Sequence, residues 1–197
     1  MFIDVEGVDG VGKSTVIAVL YRMLTERGYR VHITREPSDG PIGRFIRDNV
    51  LKGRLNITPE ALTLLFAADR AMHYASEIGP RLNEGYLVIT ERYIESSVAY
   101  QGAQGVSIGW ILEVNSKVPK PDMVFILDAP MEVIARRISG RVNLEYFERN
   151  VEFLSRVREI YLSRARDMGY IVVDASLSPE EEALTMLNYI EGKAKGG

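Results

Sequence analysis

Phe2-Ile3-Asp4-Val5-Glu6-Gly7-Val8-Asp9-Gly10-Val11-Gly12-Lys13-Ser14-Thr15 is the stretch that decides the fold. Phe2 to Val5 form a short, largely apolar run of strand character, and Val16, Ile17, Leu20, Met23 and Leu24 follow at helical spacing. Between them, Gly7 to Ser14 satisfy G-x-x-x-x-G-K-[ST], in the strand-loop-helix context that a phosphate-binding loop requires. Glycines let the backbone curl until successive N–H groups face one anion, and the helix N-terminus adds partial positive charge. Lys13 supplies a point charge for the outer phosphates and Ser14 a hydroxyl for Mg²⁺, while Thr15 reads as a cap or packing residue. Gly7, Val8, Asp9, Gly10, Val11, Gly12, Lys13, Ser14 and Thr15 are thus the candidate ATP-binding set. Such a loop implies a nucleoside triphosphate without choosing a reaction.

The alternation continues outward. Strand-like runs recur at Val31–Thr34, Tyr86–Thr90, Met123–Leu127 and Tyr170–Val173, with helical periodicity between them. Parallel strands need crossover connections, so the pattern predicts an α/β fold: a five-stranded parallel sheet with helices on both faces. Two long helices are expected, from about 59 to 78 and from about 145 to 168. Thr58-Pro59-Glu60 opens the first as N-cap followed by proline, and Phe147, Val151, Leu154, Val157 and Tyr161 form a stripe on the second. Gly28-Tyr29, Gly85-Tyr86 and Gly169-Tyr170 repeat one stop-and-enter device before strands. Residues 192–197 are expected to fray.

The 197 residues, 46% of them hydrophobic, suit one domain spanning 1–197. A balance of 24 basic against 27 acidic residues, net −3, leaves no global field for nucleic acid or a membrane surface. The absence of cysteine removes disulfides and thiol chemistry and suits a reducing compartment. With no apolar run of spanning length and no signal-like start, the chain is expected to be cytoplasmic. His32 and His73 lack partners at ligand spacing and are assigned structural or surface roles. Trp110 and Met72 are read as core or subunit contact.

Four stretches then point to a family: Glu6-Gly7-Val8-Asp9-Gly10; Thr34-Arg35-Glu36-Pro37 with Pro41-Ile42-Gly43; Leu65-Phe66-Ala67-Ala68-Asp69-Arg70; and Glu91-Arg92-Tyr93-Ile94-Glu95-Ser96-Ser97-Val98-Ala99-Tyr100-Gln101-Gly102. Together they resemble the thymidylate kinases, P-loop nucleoside monophosphate kinases, from the first strand to about Ser176. The resemblance implies a three-layer P-loop fold with a short lid at about 136–144, and transfer of phosphate from ATP with Mg²⁺ to dTMP. It also implies a homodimer.

The resemblance also distributes roles. Arg35 grips the acceptor phosphate, where the residues alone leave open a solvated strand-end arginine. Pro37 walls the acceptor site. Phe66 stacks on thymine and Arg70 hydrogen-bonds its edge, whereas spacing alone favours a core phenylalanine beside a snorkelling arginine. Glu91 orients Mg²⁺ through water, and Arg92 binds the acceptor phosphate or the charge developing on the transferred group. Ser97 and Gln101 lie at the base, and Tyr100 crowds the site of a ribose hydroxyl, although ordinary helix packing remains open for all three. Asp9 accepts from the sugar hydroxyl. Gly10 stands where one branch carries arginine, so Arg136, Arg137 or Arg141 of the lid must supply that charge. The family usually has aspartate at 91 and 95, where this chain has glutamate. Asp128 reads equally as a second carboxylate near the metal or a turn residue, and Asp174-Ala175-Ser176 resembles a loop touching adenine. Competing readings are a deoxynucleoside kinase, favoured by Glu91 but leaving Arg35 without a phosphate, and a nucleotide switch, which lacks Asn-Lys-x-Asp at Asn115–Val118.

Overall fold

The computed structural model describes residues 1–139 and 150–196. In chain order the elements are β1 (Phe2–Glu6), α1 (Lys13–Glu26), β2 (Val31–Arg35), α2 (Pro41–Phe45), α3 (Pro59–His73), α4 (Gly79–Asn83), β3 (Leu87–Glu91), α5 (Ile94–Ala103), α6 (Ile108–Val114), β4 (Met123–Asp128), α7 (Met131–Ser139), α8 (Val151–Met168), β5 (Ile171–Asp174) and α9 (Pro179–Gly196). All four strand pairings are parallel and the order is β2-β3-β1-β4-β5. The crossover from β1 moves to one side of the sheet and that from β3 to β4 to the other. Right-handed connections in opposite directions place their helices on opposite faces, which makes the three-layer α/β fold. Accordingly α1 packs with α9, and α5 with α8.

Strands β1, β3 and β4 are buried and the edges β2 and β5 are partly exposed. Ile3, Val5, Leu20, Leu24, Phe125 and Leu187 belong to the larger core, and Phe2, Val88, Tyr93, Val98 and Ile111 to a second one. β1 interrupts its own apolar pattern with Asp4 and Glu6, both buried. Burial, then the neighbouring carboxylates of Glu6, Glu95 and Glu36, hold the Asp4 carboxyl well above the usual range against Arg70, and among the described residues its Oδ1 has no hydrogen-bond partner.

Local signals act as their chemistry dictates. Thr58 caps α3 by accepting from the Ala61 N–H. Gly169 ends α8 at φ 69 with open space where a Cβ would stand, so the sign of φ and not crowding requires glycine there. Three boundaries differ from expectation. The first long helix continues beyond Ile78 to Asn83, because a wider π-helical stretch over Tyr74–Ile78 relaxes the turn before Pro80, which lacks an N–H. The second is described from Val151, which is 49% exposed and faces out of the core, while Phe147 lies outside the described residues. Residues 192–196, expected to fray, extend α9, and Lys193 Nζ donates to the Asp122 carbonyl.

Candidate active site

The phosphate loop leaves the C-terminal end of β1 with Gly7, Gly10 and Gly12 at φ 139, 82 and 114. A Cβ on Gly10 would lie 2.5 Å from Ile138 Cγ1 of α7, so this chain fills with isoleucine the space a longer residue at 10 would need. Lys13 Nζ donates to the carbonyls of Gly7 (2.8 Å) and Val8 (3.0 Å). Burial, then the nearby Arg92, lowers its pKa to about 8. Ser14 and Thr15 are exposed at the start of α1, and Ser14 Oγ donates to Glu91 Oε2 at 2.7 Å. Among the described residues no three His, Asp or Glu side chains cluster as metal ligands. A hydroxyl beside one carboxylate instead suits Mg²⁺, which keeps water and takes its other oxygens from phosphates.

Between β1 and β3 the site narrows to a charged junction. Arg92 is the one non-glycine residue at positive φ (74°) among those described, a strain that surrounding contacts must hold. It ion-pairs with Asp9, donates to Ser96 Oγ (3.0 Å), and lies 5.1 Å from the Tyr100 ring centroid. Tyr100 donates to Asp9 Oδ2 (2.7 Å) and accepts from the Asp9 N–H (2.9 Å). Behind them Glu6 accepts from the N–H groups of Tyr93 and Ser96 and from the hydroxyls of Ser96 and Tyr161. Burial nevertheless raises its pKa, against Arg92 and these donors.

Past the junction lies the third region of one cavity of about 390 Å³. Arg35 is exposed at its rim, Pro37 follows a cis peptide, Phe66 is half-buried on α3, and Ser97 and Gln101 are buried on α5. Together with Asp9, Arg70, Arg92 and Tyr100, these line the same cavity as Lys13, Ser14, Thr15 and Glu91. Buried Asp69 clasps the 36–40 loop, accepting from the N–H (2.7 Å) and hydroxyl (2.6 Å) of Ser38.

Arg70 differs from expectation. It is 1% exposed, and its guanidinium donates to Glu36 Oε2 (2.9 Å), Asn115 Oδ1 (2.6 Å), the Tyr93 carbonyl (2.8 Å) and Ser97 Oγ (3.2 Å). Most of its fork of five N–H groups is therefore committed to protein acceptors, and it does not stand in the cavity as an open clamp. Sequence reasoning assigned no role to Glu36, Arg47, Leu51, Tyr93 or Ser96, which also line the cavity. Arg47 donates to the carbonyls of Pro37 and Ser38, holding the loop's far side. Its only signal was position, one helical turn beyond Gly43.

The remaining candidates lie elsewhere. Gly7, Val8 and Val11 do not line the cavity, the last two being buried in the core. Arg136 is exposed away from the lining, and Arg141 lies outside the described residues. Arg137 donates to the carbonyls of Val11 (2.6 Å) and Ala175 (3.0 Å), tying the phosphate loop to the loop after β5. Glu95 points away from the site, held by Arg164 (2.8 and 2.9 Å) and the Tyr170 hydroxyl (2.7 Å). Its extra methylene therefore does not alter the cavity. Asp128 is gripped by Arg158 through two bonds of 2.6 and 2.9 Å, which favours the structural reading over a metal role.

Comparison with known proteins agrees with this geometry. The family model described as thymidylate kinase matches residues 5–186. A probable thymidylate kinase of Caldivirga maquilingensis is 57% identical over 196 residues, covering 100% of this chain and 96% of that protein. One of Pyrobaculum calidifontis is 54% identical, covering 97% and 96%, and one of Pyrococcus abyssi 41%, covering 91% and 90%. A match of this length takes in both the phosphate loop and the cavity beyond Arg92, and the chain belongs to the thymidylate kinase family.

Proposed function

We propose that this chain, as one kinase domain over residues 1–197, transfers the terminal phosphate of ATP to dTMP, giving dTDP and ADP. The observation that carries the reading is the single cavity running from Lys13 and Ser14, past Asp9 and Arg92, to Phe66 and Gln101. Two nucleotides entering its two ends would meet phosphate to phosphate at Arg92. An oxygen of the acceptor phosphate attacks the γ-phosphorus, and the bond from that phosphorus to the β–γ bridging oxygen breaks as ADP leaves. The attacking oxygen is already an anion, so the residues need only position it and supply positive charge. Lys13 and the loop amides hold the donor, Arg35 and Arg92 align the acceptor phosphate, and a lid arginine, Arg136, Arg137 or Arg141, completes the charge. Phe66, Ser97 and Gln101 take the base, Pro37 walls it, and Asp9 with Tyr100 takes the deoxyribose. Ser14, with Glu91 through water, would hold Mg²⁺, which when bound offsets charge on the donor phosphates.

A nucleoside acceptor would leave Arg35 without a phosphate, and Glu91 is engaged with Ser14 on the donor side. The reading takes in a cytoplasmic enzyme and a homodimer. Among the described residues no helix is long and apolar enough to cross a membrane. Leu64 and Met72 are half-exposed on the outward side of α3, where a second copy would cover them. The test is ADP release with ATP and Mg²⁺ against dTMP, dUMP, the ribose form of TMP, and thymidine, with product identification. Formation of dTDP, a poor ribose substrate and inert thymidine are expected; phosphorylation of thymidine but not dTMP would overturn the reading.

A further inference from the structure

Arg70 is a buried cation whose charge is balanced by Glu36, itself 5% exposed on the loop that lines the acceptor cavity. Glu36 Oε2 faces Arg70 through Nε (2.9 Å) and Nη2 (2.8 Å). Its other oxygen, Oε1, has one hydrogen-bond partner among the described residues, His73 Nδ1 at 3.4 Å. A carboxylate held through one oxygen can still swing about its own axis, and a second donor on the other oxygen stops that rotation. The His73 ring is 2% exposed and is held from behind, with Nε2 2.7 Å from Thr34 Oγ1 on β2 and 3.6 Å from Glu77 Oε2. With a proton on Nδ1 the ring donates to Glu36, while Nε2 meets the Thr34 hydroxyl, which is also hydrogen-bonded to Glu77.

We infer that His73 is a positioning residue for acceptor recognition: it fixes Glu36, and through Glu36 the Arg70 fork that faces the ligand. An arginine can only donate, so a fork held still favours a pyrimidine whose edge carries a carbonyl oxygen over one carrying an amine. The inference rests on the proposed dTMP kinase reading and deepens it.

Two variants of the full chain separate positioning from packing. In His73→Asn the side-chain amide N–H stands where Nδ1 stood, and in His73→Gln it stands where Nε2 stood. Steady-state kinetics with dTMP, dCMP and ATP are measured beside the melting midpoint. His73→Gln is expected to raise the KM for dTMP about tenfold, the lower end of losing an outer partner of a binding group, and to narrow the preference over dCMP. The kcat and the KM for ATP stay unchanged, and His73→Asn keeps the dTMP KM within about twofold. Equal changes in both variants, a change in Asn alone, or no change in KM while stability falls would overturn the inference. Should neither variant fold, Thr34→Val removes the ring's other anchor with little change of shape, and an unchanged dTMP KM there overturns it equally. If the unsubstituted chain does not phosphorylate dTMP, the functional reading fails first, and the result is distinct from a failure at His73 alone.

Discussion

The two ends of the cavity are built from different materials. The donor end is made of backbone: three glycines at positive φ, a helix N-terminus, and a lysine resting on its own loop's carbonyls. The acceptor end is made of side chains, with Arg70 bound to partners from the 36–40 loop, α5 and α6's C-terminal end. To reach a donor phosphate Lys13 would have to leave the carbonyls of Gly7 and Val8. A ligand at the acceptor end meets a lattice already closed. Substitutions at the first end should therefore cost activity with little stability, and at the second both together.

Lys13→Met is expected to have the largest effect, lowering kcat about a thousandfold, as loss of a charged donor to a transition state does. The folded state should change by no more than about 1 kcal/mol, since a desolvated charge is removed along with its two hydrogen bonds. Denaturant unfolding beside single-turnover rates reports both, and a large loss of stability would break the comparison. Arg70→Leu leaves Glu36 buried without its cation and should destabilise the fold by about 3 kcal/mol while raising the dTMP KM. An Arg70→Leu protein of normal stability would mean that the acceptor end is less closed than its contacts imply.

A smaller effect sharpens the donor end. The Lys13 pKa is lowered to about 8, and bound phosphates favour the ammonium, so ATP binding at pH 8 should take up about half a proton. Calorimetry in buffers of different ionisation enthalpy measures this, and ATP affinity should fall as pH rises above 8. The smallest effect concerns Asp4 behind the acceptor end. Its folded pKa is raised above the ordinary aspartate value of 3.8, so its protonated form favours folding below that pH and the advantage is lost as pH rises. Asp4→Asn should thus be more stable than the parent at pH 7, with the gap closing towards pH 4 in thermal melts.

Legibility in the sequence followed the range of each interaction. The phosphate loop, the Thr58 cap and the glycine stops were readable because each requirement lies within a few residues. The five strands were readable because their periodicity is local and the crossover rule then orients them. The pairing of Glu95 with Arg164, 69 residues away, and of Asp128 with Arg158, 30 away, was not, since nothing near either carboxylate names its partner. For the same reason Arg70 read as an open fork when α3 in fact aims it into four acceptors on distant segments.

By itself, then, the sequence determined the α/β class, the donor loop and the set of charged residues available to the site, because glycine, proline and apolar spacing act through neighbouring backbone. Only the tertiary structure decided which charges face the cavity and which are consumed in holding it. A buried charge takes whichever partner the packed elements bring within hydrogen-bond reach, and that choice is made by the assembled sheet and its helices.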